Sequence, residues 1–158
     1  VIAAASSENK LAAAKRAGAD HLINYSEGNI REKIKNIVGS SGIDVLYDPV
    51  GGELFEPCLR SLGWGGRALV IGFASGTIPK LPTNLTLVKG CSVVGVFWGA
   101  FRIKETEEDN KNFEILFKWF KEKKVSPLVS QKFSLENAKE ALLTLATRKA
   151  IGKVIITP

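Results

Sequence analysis

The sequence predicts an α/β fold built on an open, doubly wound parallel sheet. Two observations predict it. Short β-rich runs alternate with stretches of helical period, and glycines mark the turns between them. Strand–helix–strand repetition with short connections gives parallel strands covered by helices. Crossovers of this kind are right-handed. Ligands of such sheets bind beyond the carboxyl ends of the strands.

The strand candidates are Val1–Ala5, His21–Asn24, Asp44–Tyr47, Arg67–Phe73 and Ser92–Phe97. Ser7–Ala17 is Ala-rich, with Ser6 or Ser7 as N-cap and Gly18 as stop. Ile30, Ile34, Ile37 and Val38 share a helix face, and Gly39 follows. Leu54, Phe55, Cys58, Leu59 and Leu62 predict a third helix that ends at Gly63. Ala74–Val88 carries Gly76, Pro79 and Pro82, which exclude a long helix. Phe113, Leu116, Phe117 and Phe120 stand at helical spacing. A loop or strand near Leu128–Phe133, a helix over about Ser134–Thr147 and a strand Gly152–Thr157 complete the chain.

Composition narrows the class. The chain has 158 residues, 45% hydrophobic and 24% charged, as an ordinary globular domain has. No apolar run reaches the roughly 18 residues of a membrane-spanning helix. The formal charge is +6, with much of the excess at Lys118, Lys121, Lys123 and Lys124. That run reads as a solvated helix face, and no nucleic-acid motif accompanies it. Cys58 and Cys91 lie in apolar segments and read as buried thiols. A lone histidine, His21, makes a zinc site within this segment improbable. The chain holds no Met and opens inside a strand-like run, so it reads as a portion of a longer protein.

The candidate binding residues stand just after the strands. Ser6, Ser7 and Lys10 follow the first run. An acid at this place favours a ribose 2′-hydroxyl, whereas hydroxyls and a cation suit a 2′-phosphate. The bland alternative is a helix cap and a solvated lysine. Tyr25 could stack on adenosine phosphate or be an ordinary half-buried tyrosine. Asp48-Pro49-Val50-Gly51-Gly52 follows the third run. Its glycines allow close approach of a ligand to backbone. Asp48 reads as a turn or capping acid in preference to a general base. Ile71-Gly72-Phe73-Ala74-Ser75-Gly76 is glycine-rich, yet the chain has no G-x-G-x-x-G. Phe97 and Trp98 could wall a nicotinamide ring or be plain core.

Four segments carry a resemblance. They are A-S-S-x-x-K-L near the start, G-A-D-H-L-I-N-Y at Gly18–Tyr25, G-I-D-V-L-Y-D-P-V-G-G at Gly42–Gly52, and R-K-A-I-G-K-V-I-I at Arg148–Ile156. In this order they resemble the zinc-independent quinone oxidoreductase branch of the medium-chain dehydrogenase/reductase superfamily. The resemblance covers the C-terminal, nucleotide-binding portion of such an enzyme. It implies a Rossmann-like fold truncated before its first strand and phosphate loop, with 1–127 as the NAD(P)-binding domain. Residues 128–158 would return to a catalytic domain outside this sequence. It implies NADPH as cofactor and hydride transfer to a quinone or activated alkene. It places Ser6, Ser7, Lys10 and Tyr25 at the 2′-phosphate, and Val50 at the adenine or ribose. Gly72, Phe73 and Ala74 fall under the nicotinamide ribose, with Phe97 and Trp98 near the ring. Arg148 matches a family arginine near the 2′-phosphate, and Lys153 is a further cofactor candidate. No catalytic residue and no metal ligand is assigned.

The resemblance carries further expectations. A homodimer would form through the strand at 91–97, in the cytoplasm or, alternatively, the mitochondrion. Without its first strand, the sheet would leave Val1–Ala5 unpaired on one side, and Gly152–Thr157 would lack its partner. Two alternatives stay open: an enoyl or alkenal reductase of a sister family, and a non-catalytic nucleotide-binding or structural fragment.

Overall fold

A computed structural model describes all residues, Val1–Pro158. The chain forms two compact units, Val1–Gly99 and Ala100–Pro158.

The first unit alternates strands and helices. In order they are β1 (Ile2–Ala5), α1 (Glu8–Arg16), β2 (His21–Asn24), α2 (Ile30–Val38), β3 (Ile43–Asp48), α3 (Phe55–Leu59), β4 (Leu62–Val70), α4 (Asn84–Lys89) and β5 (Ser92–Gly95). All pairings are parallel, β1 with β2 and β4 between β3 and β5. Ser7 is the N-cap of α1, though its side chain makes no capping bond. Asn29 caps α2 by accepting from the Arg31 N–H at 3.0 Å.

One buried cluster joins Phe55, Leu59, Leu62, Ala68 and Leu85 beneath the three-stranded sheet. A second joins Ile23, Ile30, Ile34 and Cys58. The opposite face of β3 is bare, with Val45 45% and Tyr47 65% exposed.

The expected sheet is therefore present as parallel pieces, and it is interrupted between β1 and β3. Each of these strands pairs on one side only. Between them lies a cavity of about 790 Å³ lined by Val1–Ala4, by Gly42–Val50, and by Ile23, Ile30, Ile34, Leu54 and Cys58.

Three boundaries differ from the sequence reading. The third helix stops at Leu59, and Leu62 already begins β4. The Gly63–Gly66 stretch, which looks like a turn, is a bulged part of that strand. There the Gly42 and Gly63 backbones cross closely, and a Cβ built on Gly42 would stand 2.5 Å from the Gly63 nitrogen. At the other end β4 stops at Val70, although the Ile71 N–H still donates to the Asp48 carbonyl at 2.9 Å as the last bond toward β3. The strand at 92 ends at Gly95, short of Phe97.

The second unit contains most of α5 (Trp98–Lys104), then α6 (Thr106–Lys121), β6 (Val129–Ser134), α7 (Ala138–Ala146) and β7 (Lys153–Thr157). The buried Asp109 of α6 accepts from Arg102 at 3.2 Å. The expected helix from Ser134 opens as a 3₁₀ turn, Leu135–Asn137, before α7. β7 pairs with β6 in parallel, so the last strand does have a partner, which corrects the expectation that it would lack one.

Candidate cofactor site

Residues 6–10, 25 and 48–52 are collected at the carboxyl ends of the first unit's strands, together with 71–77 and 97–98. Backbone bonds fix that gathering. The Tyr25 N–H donates to the Ala5 carbonyl at 3.1 Å, and the Ser26 hydroxyl donates to the Ser6 carbonyl at 3.1 Å. Ser6, Ser7, Lys10 and Tyr25 thus share one strand-end corner. Ser7 does not use its hydroxyl on its own helix.

Three neighbours there escape a reading of the sequence. The Asn24 amide donates to Glu8 at 3.3 Å and to Glu27 at 2.8 Å. The Lys33 ammonium donates to the Asn24 carbonyl at 2.9 Å. Two carboxylates and one further ammonium therefore share the corner with Lys10. Nothing in the spacing of Glu27 and Lys33 signals this; only the β2–α2 turn brings them back.

The second corner is built on Asp48. This buried carboxylate accepts from the Val50 and Gly51 N–H groups, both at 2.9 Å and both through Oδ1. It is the turn acid its Asp-Pro-Val-Gly setting implies. The Asp48–Gly52 loop is then zipped to the next one. Ala74 N–H donates to the Pro49 carbonyl at 3.1 Å, Ser75 N–H to Val50 at 2.9 Å, and Gly52 N–H to Thr77 at 3.0 Å.

The two glycines lie at this junction. Gly51 has φ 65°, and a Cβ there would meet Phe73 at 2.9 Å; one on Gly52 would meet the Ser75 hydroxyl at 2.8 Å. Gly72 is the open position, with the Pro49 carbonyl at 3.4 Å its nearest contact. Phe97 and Trp98 are 78% and 53% exposed, so neither is core within this chain. Arg148 and Lys153 belong to the second unit. Arg148 follows α7 in a left-handed conformation, φ 58°, and Lys153 opens β7.

Cys58 lies behind the Asp48 loop. Burial, and secondarily the Asp48 charge, push its thiol up from 9.0 to about 11. A raised folded-state value means stability that is full below pH 9 and lost as pH rises toward 11. The loss expected is roughly 2–3 kcal/mol. Urea unfolding across this window checks it: the decline should be shallower in Cys58→Ala by that amount.

A family model for zinc-binding dehydrogenases matches residues 1–122. The chain belongs to this family. Quinone oxidoreductase-like protein 2 of Bos taurus is 38% identical over 157 residues, spanning 99% of this chain and 45% of that protein. The 2-haloacrylate reductase of a Burkholderia species is 28% identical, over all of this chain and 48% of its own length. The crystal structure of Escherichia coli quinone oxidoreductase complexed with NADPH superposes with a TM-score of 0.84 at 28% identity, over 99% of this chain and 49% of that one. The chain thus spans about half the length of the relatives it matches. The resemblance to the quinone oxidoreductase branch and the Rossmann-like fold both hold. In this segment no group of three His, Cys, Asp or Glu side chains could hold a metal ion. No helix is long and apolar enough to cross a membrane.

Proposed function

We propose that the whole protein is an NADPH-dependent reductase, transferring a hydride to a quinone or an activated alkene, and that this segment carries the adenosine and nicotinamide sides of its cofactor site. The observation that carries the reading is the strand-end corner where Ser6, Ser7, Lys10 and Tyr25 meet. Hydroxyls and an ammonium there complement a 2′-phosphate. The E. coli relative's complex with NADPH supports the same cofactor.

Val50 would lie along the adenine or ribose. The zipped loops would present Gly72, Phe73 and Ala74 to the nicotinamide ribose. Phe97 and Trp98 would shield the ring from water, and Arg148 and Lys153 are further candidate cofactor contacts. The nicotinamide supplies the hydride when bound; the residues named here bind and orient it. Homodimerisation through residues 91–97, a cytoplasmic location and the 1–127 and 128–158 division belong to this proposal. The Burkholderia relative favours a second reading, in which the acceptor is an activated alkene and not a quinone.

Titration calorimetry with the full-length protein tests the cofactor. Lys10→Glu should weaken NADPH binding by about 10–100-fold while NADH changes by less than about threefold. Equal losses for both cofactors would overturn the 2′-phosphate role. Rates on quinones and on haloacrylates separate the two acceptors.

A further inference from the structure

A smaller cavity lies at the other end of the first unit's strands, away from the candidate cofactor residues. It measures about 200 Å³ and takes in Gly42, ahead of β3, and Ser61 and Leu62, where β4 begins. Asp48 stands six residues beyond Gly42, so about 20 Å of strand divides the cavity from the Asp48 corner.

The lining has one sign of charge. Arg31 and Lys35 belong to α2, Arg60 follows α3 and Lys89 closes α4, and no Asp or Glu is among the lining residues. Glu56 accepts from the Arg60 guanidinium at 2.7 and 2.8 Å, which holds that fork in place. Arg31, Lys35 and Lys89 take part in none of the chain's ion pairs.

Helix ends explain part of this. Lys35 and Lys89 stand in the last turns of α2 and α4, where the helix dipole favours positive charge. Arg31 has no such reason. It stands in the first turn of α2, four residues from Lys35, a spacing at which like charges destabilise a helix. An anion held between the two reverses that repulsion. Backbone donors lie beside them: the Ser40 and Gly42 N–H groups donate to no acceptor within the chain.

We infer that this cavity binds a compact phosphate anion of two or more charges, of the pyrophosphate kind, at a site separate from the cofactor's. Charge sets the class, because guanidinium, ammonium and backbone N–H groups are the donors that phosphate oxygens accept from. Size sets the rest. The volume is below the roughly 300–1,000 Å³ of pockets that enclose drug-sized ligands, so the anionic group itself fills it. Ile34, Val38 and Leu62 also line the cavity, and their apolar surface keeps water from part of the ion and strengthens each charged contact. The inference stands on this cavity and not on the NADPH reading, so either can fail alone.

Titration calorimetry of the full-length protein with pyrophosphate at low salt tests it. Saturable one-to-one binding is expected, with a dissociation constant below about 1 mM that rises with added salt. Arg31→Glu and Lys35→Glu should each weaken it by about tenfold or more. Both side chains are exposed, so neither substitution disturbs the core. Lys35→Arg keeps the charge and should stay within about threefold. Two distant cations are the controls: Lys121→Glu in the other basic run and Lys10→Glu in the cofactor corner should each change the affinity by less than about twofold. Amide hydrogen exchange should slow at residues 39–42 on binding.

Absence of saturable binding to the unsubstituted protein would overturn the inference. Equal weakening by Lys121→Glu would overturn it too, since it would show attraction to net charge alone. Loss in Lys10→Glu, with Arg31→Glu and Lys35→Glu unaffected, would assign the anion to the cofactor corner and overturn it equally.

Discussion

Asp48→Ala is expected to destabilise the chain by about 3–4 kcal/mol, read as a shift in the urea midpoint at constant slope. The reason is local and countable. One carboxylate oxygen accepts both the Val50 and Gly51 N–H groups. Alanine leaves both donors without an acceptor, and the Gly51 donor is buried. An unmade bond at a buried donor costs more than the same bond contributes when made. Asp48→Asn is the control. Its amide oxygen can occupy the Oδ1 position and accept both N–H groups, so the loss should stay within about 1 kcal/mol. Equal losses for the two variants would mean that the charge, and not the pair of bonds, holds the loop.

Gly51→Ala should cost about 3 kcal/mol or more by the same measurement. Two penalties add. The backbone at Gly51, φ 65° and ψ −146°, borders a region that side-chain-bearing residues avoid. The new Cβ would also stand 2.9 Å from the Phe73 ring and 3.1 Å from the Thr77 carbonyl. The Thr77 carbonyl cannot withdraw without straining its bond to Gly52, and the Phe73 ring must turn aside. Under the proposed function NADPH affinity falls as well, because Phe73 is displaced. An alanine variant of unchanged stability would show that the two loops are free to separate.

The legibility of this fold varies along the chain for physical reasons. β2 is legible residue for residue, because His21–Asn24 is a β-rich run fenced by Gly18 and the polar Ser26–Asn29 turn. The start of β4 is not. Gly63-Trp64-Gly65-Gly66 has turn composition, and only the crossing of Gly42 beneath it makes glycine the residue that fits a strand there. Asp48 reads as a turn acid, which its local pattern encodes. Its hold on the next loop, through its carbonyl and through Pro49 and Val50, links residues more than twenty positions apart. No local pattern contains that. Glu27 and Lys33 escape for the same reason, since their place beside Ser6 depends on how β2 turns into α2.

The sequence by itself determined the alternation of strands and helices, the parallel sense of the pairing and the family. Those depend on hydrophobic period and on glycine at turns, which are properties of neighbouring residues. The gap beside β1 is expected from the resemblance, and β1 does pair on one side only; the tertiary structure alone decided that β7 finds β6. It also decided that Gly51 and Gly52 sit where two loops meet, with Phe73 and Ser75 against the places their Cβ atoms would take. Those outcomes depend on which backbone edges and Cβ positions meet across the fold, and a meeting of distant residues leaves no local signature in the chain.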